Sequence, residues 1–236
     1  MKKLSLLLLA VTAVLVTSAQ KINDANAELR EAKNYHGIHV SSAFDVYLSQ
    51  GNEETVAVSA ANDKDKERIK VEVKNGVLYV GFDTKGLHWN NGNKKLKAYI
   101  SFKNIDELEV SGACDVFISG TLKADDLKLN LSGASDLREG KLEVNKLSVD
   151  LSGASDVRIS GKVMQANIEA SGASDFKGFD LEVSSCNARA SGASDIKITV
   201  TKELSAQASG ASDIRYKGEG LIKDVRSSGS SSISKS

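Results

Sequence analysis

The chain has 236 residues, 41% of them hydrophobic and 26% charged, which sets it apart from disordered and collagen-like sequences. Basic and acidic residues both number 31, so no cationic excess points to nucleic acid. There is no proline, which leaves every backbone N–H free to join a ladder, and two cysteines are too few for a disulfide framework.

In chain order, Lys2 and Lys3 precede an apolar run from Leu4 to Val16, and Thr17-Ser18-Ala19 comes next with small residues. This pattern predicts a signal peptide over residues 1–19 and export to the periplasm, cell surface or extracellular space. The run is too short for a bilayer span, and no transmembrane segment is expected once it is cleaved. Residues 20–33 are polar and read as a linker or a frayed helix. Residues 34–105 are expected to form an irregular N-terminal β region that caps the remainder of the chain. Strands are expected at Thr55–Ser59, Ile69–Val73, Val77–Phe82 and Leu96–Phe102, with Lys74-Asn75-Gly76 as a hairpin turn and a helical turn or two within 62–70.

Between the last two of these strands, Gly86 to Asn93 interrupts the apolar pattern and holds the only Trp of the chain. Gly and Asn favour a loop. Trp89 offers a flat face for a sugar or peptide, His88 lies beside it, and Asn90, Asn91 and Asn93 supply hydrogen-bond donors and acceptors. These five residues are the candidate ligand-binding set. The competing role for Trp89 is a plug over the open end of the core. His36, His39 and His88 sit in no recognisable nucleophile or zinc motif, so no catalytic residue, metal site or cofactor is expected.

Residues 106–236 are dominated by a repeat. Ser-Gly-Ala-Ser-Asp starts at Ser132, Ser152, Ser171, Ser191 and Ser209. Near copies start at Ser41, Ser111 and Ser228. From Ser111 onward the spacing is 18–21 residues. Before each turn apolar residues alternate, as in Leu127-Leu129-Leu131 and Leu147-Val149-Leu151. After each Asp comes another apolar residue, from Val116 to Ile214. Period two means strands with one face inward. Short strands in coils of about 20 residues predict an all-β, right-handed parallel β-helix, the hand following from crossover chirality. Gly112, Gly133, Gly153, Gly172, Gly192 and Gly210 mark a turn position that needs a positive φ or close packing.

Stacking would align Asp115, Asp136, Asp156, Asp175, Asp195 and Asp213 into a column, each about 4.8 Å from the next. Arg138, Arg158, Lys177, Lys197 and Arg215 stand two residues after an Asp and would neutralise it. A calcium ladder is the alternative use of the same aspartates. Cys114 replaces a turn Ser and Cys186 replaces an inward residue, too far apart to pair.

The stacked SGASD turns, the leading segment and the Tyr35–Gly51 entry into the repeats resemble the putative auto-transporter adhesin family with the head GIN domain, from about Tyr35 onward. The resemblance implies a parallel β-helix at a bacterial envelope and a noncatalytic, adhesin-like protein that binds a glycan or a protein. The alternatives are a structural scaffold of the envelope and a carbohydrate-active β-helix enzyme. The enzyme would need paired carboxylates in a groove, which evenly spaced, neutralised aspartates do not supply.

Overall fold

The computed structural model describes residues 24–86 and 95–236. It is a parallel β-solenoid of about six turns with coils of roughly 20 residues. Its strands are β1 (Glu28–Arg30), β2 (Gly37–Val40), β3 (Phe44–Gln50), β4 (Thr55–Ser59), β5 (Ile69–Lys74), β6 (Val77–Phe82), β7 (Leu96–Phe102), β8 (Glu107–Val110) and β9 (Asp115–Leu131). They continue as β10 (Asp136–Leu151), β11 (Asp156–Arg158), β12 (Ser160–Ala170), β13 (Asp175–Ala190), β14 (Asp195–Ala208), β15 (Asp213–Lys217), β16 (Leu221–Ser227) and β17 (Ser232–Lys235). Among the described residues, no helix is long and apolar enough to cross a membrane.

The alternating pattern sets the core. Leu127, Leu129 and Leu131 are buried, and the next coil stacks Leu147, Val149 and Leu151 directly on them. The same positions become Ala166, Ile168 and Ala170, then Cys186, Ala188 and Ala190. After the turns, Phe176, Ile196 and Ile198 are wholly buried. The third apolar cluster of each coil splits into two columns. Leu122 and Leu142 stack together, and Gly161 separates them from Leu181. Val144, Val163, Val183 and Val200 form the neighbouring column.

The stack begins with an antiparallel cap. In its first layer β6 lies parallel to β2, and β7 lies parallel to β3. On their outer sides β5 runs antiparallel to β6, and β4 runs antiparallel to β7. The β5–β6 hairpin turns through Asn75 and Gly76, both at positive φ. A short helix, α1 (Asp63–Glu67), joins β4 to β5. Its N-cap Asn62 accepts a hydrogen bond from the Asp65 N–H at 2.9 Å. Part of the segment expected as a polar linker or frayed helix is instead a strand. Residues Glu28–Arg30 form β1, antiparallel to β4. Main-chain pairing and polar contacts from Glu28 and Arg30 to Lys66 hold this strand, while its Leu29 side chain is 70% exposed. The signal-peptide residues 1–19 lie outside the described residues.

Candidate functional site

Each coil turns the same corner through a Ser-Gly-Ala-Ser segment, and the corners stack. Gly112, Gly133, Gly153, Gly172, Gly192 and Gly210 have φ between +75° and +94°. A Cβ on any of them would lie 2.2–2.7 Å from the carbonyl oxygen at the same position one layer earlier. That oxygen is occupied: the Ala134 N–H donates to Gly112 O at 2.7 Å, and the Ala173 N–H to Gly153 O at 2.7 Å. The glycine is needed both for its backbone angle and for this approach. Ser42 occupies the position in the first parallel layer with φ +97°. Its neighbour on the capped side is the chain leaving β6, whose Phe82 N–H donates to Ser42 Oγ at 3.3 Å, so a side chain fits there.

The alanine of the turn sits exposed at the apex, and its N–H is what the ladder uses. The second serine is the buried one. Ser135, Ser155, Ser174, Ser194 and Ser212 are fully enclosed. Ser194 Oγ reaches the carbonyls of Ser191 and Ala170 at 2.7 and 3.0 Å. Ser212 Oγ reaches those of Ser209 and Ala190 at 2.8 and 3.0 Å. The hydroxyl therefore ties its own turn to the preceding coil. Cys114 substitutes a weaker donor at this place, 3.5 Å from Ser111 O.

The aspartates following the turns stack in register from Asp45 through Asp115, Asp136, Asp156, Asp175 and Asp195 to Asp213. Arg138 bridges Asp115 and Asp136 at 2.8 and 3.1 Å. Lys177 bridges Asp156 and Asp175 at 2.6 and 3.2 Å, and Arg215 meets Asp213 at 3.1 Å. Arg158 and Lys197 stack in the same basic column. At the capped end, burial and then the neighbouring Asp115 raise the Asp45 carboxyl above its ordinary range. At the far end, a hydrogen bond from Ser232 Oγ at 2.6 Å is the main cause that lowers Asp213.

Toward the cap the basic column becomes aromatic. Tyr99, Tyr47 and Phe117 stack on neighbouring strands, with centroids 5.1 and 5.3 Å apart and rings within 14° of parallel. Their faces cover one another, and the Tyr99 hydroxyl bonds Asp24 at 2.9 Å. The stack consolidates the layers rather than offering a sugar platform.

A second cluster lies on the face before the corner. His39 on β2 and Glu109 on β8 are register partners, and Glu107 stands two residues before Glu109 on the same face. His39 Nε2 lies 3.4 Å from Glu107 Oε2 and 3.6 Å from Glu109 Oε2. These are ion-pair distances, and the buried Nε2 has no hydrogen-bond partner among the described residues. The Tyr79 ring meets the imidazole edge-on at 5.0 Å. Lys128 Nζ approaches the other oxygen of Glu107 at 3.2 Å. Burial opposes ionisation of Glu107, but Lys128 and His39 outweigh it and hold the carboxyl below its ordinary range. This is the group of described His, Cys, Asp and Glu residues that could hold a metal ion. Sequence motifs do not reveal it, because its members come from two distant strands. The available signal was the shared pattern of Ile38-His39-Val40 and Leu108-Glu109-Val110, each ending just before a serine turn. His36 stands apart, hydrogen-bonded to Asp106 at 2.9 Å, and that contact raises its pKa.

The five candidate ligand-binding residues, His88, Trp89, Asn90, Asn91 and Asn93, lie outside the described residues. The strands on either side are described. β6 ends at Phe82 beside β2, and β7 begins at Leu96 beside β3.

The solenoid is similar to several solved structures. A putative adhesin from Bacteroides fragilis NCTC 9343 is 23% identical, with a TM-score of 0.83 over 89% of this chain and 96% of that one. A putative lipid binding protein from Parabacteroides distasonis ATCC 8503, also 23% identical, gives a TM-score of 0.67 over 90% of this chain and 98% of that one. A putative adhesin from Parabacteroides merdae ATCC 43184, 20% identical, gives 0.64 over 89% and 95%. These likenesses concern the fold. No curated protein matches the chain. The family profile described as putative auto-transporter adhesin, head GIN domain, matches residues 34–220, most of the chain and all of its regular coils from Ser111 to Ser209. On that match, the chain belongs to the putative auto-transporter adhesin family with the head GIN domain.

Proposed function

We propose that this protein is an exported, noncatalytic envelope protein that binds a glycan or a protein through its outer surface. The observation that carries the proposal is the stacked corner. Seven successive turns repeat one geometry at the strand spacing of about 4.8 Å, which makes a stiff, ordered exterior suited to many small contacts in a row. The adhesin-like family points the same way. The connection after Gly86 supplies the candidate contact residues Trp89, His88, Asn90, Asn91 and Asn93.

The test uses the chain without residues 1–19, screened on a glycan array and against envelope proteins in direct binding. A specific ligand is expected, and Trp89→Ala should weaken its binding at least about tenfold while leaving thermal stability unchanged. Two outcomes would overturn the contact role. One is binding unchanged in Trp89→Ala; the other is a loss of several kcal/mol of stability, the range for large-to-small core changes. Release of reducing ends from a polysaccharide would overturn the noncatalytic reading.

A further inference from the structure

We infer that His39, Glu107 and Glu109 form a binding site for a first-row divalent transition-metal ion, zinc foremost. A hydrogen bond from Nε2 to a carboxylate would be about 2.7–3.2 Å long and well aligned. Here the two carboxylate oxygens stand at 3.4 and 3.6 Å, and Nε2 is left unbonded. Ligand atoms around a tetrahedral zinc, each about 2.0–2.2 Å from the metal, are separated by about 3.3–3.6 Å from one another. Both separations from the imidazole nitrogen to a carboxylate match that spacing, and the ligand atoms of all three side chains lie within 4.8 Å of one another.

The surroundings hold this arrangement in place. His39 and Glu109 are fixed by strand register. Gly37, opposite Glu107, has no side chain to come between that carboxylate and the imidazole. Tyr79 packs edge-on against His39. Lys128 engages Glu107 through Oε1 and leaves Oε2 for the ion. Such outer contacts orient ligands and tune affinity. Beside the cluster a hollow of about 370 Å³, lined in part by Lys70, Glu72 and Tyr79, gives room for water to complete the coordination. One imidazole with two carboxylates suits zinc, manganese or cobalt better than calcium, which takes six to eight oxygens. A bound ion would pin β2 to its parallel neighbour β8 and would present open positions at the surface.

The experiment is isothermal titration of the untagged, chelator-treated chain with zinc, repeated with cobalt, whose visible spectrum reports ligand geometry. One ion per chain is expected, with a rise in unfolding temperature because the ion binds the native state. His39→Ala should abolish binding, and Glu109→Gln should weaken it at least about tenfold. His36→Ala removes the other described histidine and should change nothing. Glu109 is nearly half exposed, so Glu109→Gln keeps the test sound should His39→Ala fail to fold. Absence of binding at about 100 µM zinc, a level that would show as a stability increase for any site of micromolar affinity, would overturn the inference. So would equal affinity in the wild type and the folded Glu109→Gln variant.

Discussion

Adding one methyl group at Gly172 tests the stacked corner most directly. An alanine Cβ there would sit 2.5 Å from Gly153 O and 3.1 Å from Gly153 N, both main-chain atoms that cannot rotate away. Restoring ordinary contact at 3.4 Å means the two turns separate by nearly 1 Å, enough to break the 2.7 Å bond from the Ala173 N–H to Gly153 O. The left-handed angle of +76° costs an alanine about 1–2 kcal/mol, and the lost bond about 0.5–1.5 kcal/mol more. Gly120 separates the two effects. It has the same φ of +76°, but nothing lies within 4 Å of its ideal Cβ. Gly120→Ala should therefore cost about 1–2 kcal/mol and Gly172→Ala about 1.5–3.5 kcal/mol. Urea unfolding followed by circular dichroism measures the difference, and hydrogen exchange localises it. The Ala173 amide should lose protection in Gly172→Ala and keep it in Gly120→Ala. As a surface control, Lys177→Ala removes contacts to Asp156 and Asp175 from a part-exposed site and should cost about 0–1 kcal/mol. Equal losses in the two glycine variants would show that backbone angle alone, not the approach of the coils, explains the repeated glycine.

Two further outcomes are expected. Burial pushes the Cys186 thiol up to about 12 and raises that of Cys114 as well, so neither should react with a thiol reagent at pH 8 until the chain unfolds. In the unfolded chain these thiols ionise near pH 8.5, so their contribution to stability is fully present below that pH and declines as pH rises toward 12. The slope for Cys186 is at most about 1.4 kcal/mol per pH unit, and Cys186→Ala should flatten it. Rapid native labelling would contradict the burial. Since Arg138, Lys177 and Arg215 already bridge the aspartate column, millimolar calcium should leave the unfolding temperature nearly unchanged; a rise of more than about 10 °C would restore the calcium-ladder alternative.

The coils were legible because their register is written in the residues themselves. A turn that demands glycine, followed by an aspartate and alternating apolar residues, leaves one way to stack without exposing the core. The cap was partly legible. Asn75-Gly76 announced a hairpin, and the antiparallel pairing of β5 with β6 follows from it. The strand Glu28–Arg30 was not, since it joins by main-chain bonds and buries no apolar side chain. The repeated turn serine was legible, but the reach of its hydroxyl to the carbonyl of the previous coil depends on the third dimension. The same holds for His39, Glu107 and Glu109, which are ordinary surface residues until two strands are laid side by side.

The column two residues after the aspartate has a consequence beyond charge balance. It reads Tyr99, Tyr47 and Phe117 near the cap, and its members are arginine and lysine from Arg138 to Arg215. Between Tyr99 and Arg215 the side chains pass from aromatic to basic along the axis, with a register shift where Phe117 gives way to Arg138. The exterior is thus a vector, not a uniform lattice. A long molecule lying along it would find its two possible orientations unequal in energy, because its ends would face aromatic edges in one case and cations in the other. An assembly of such solenoids would have a built-in polarity even if each contact were individually weak.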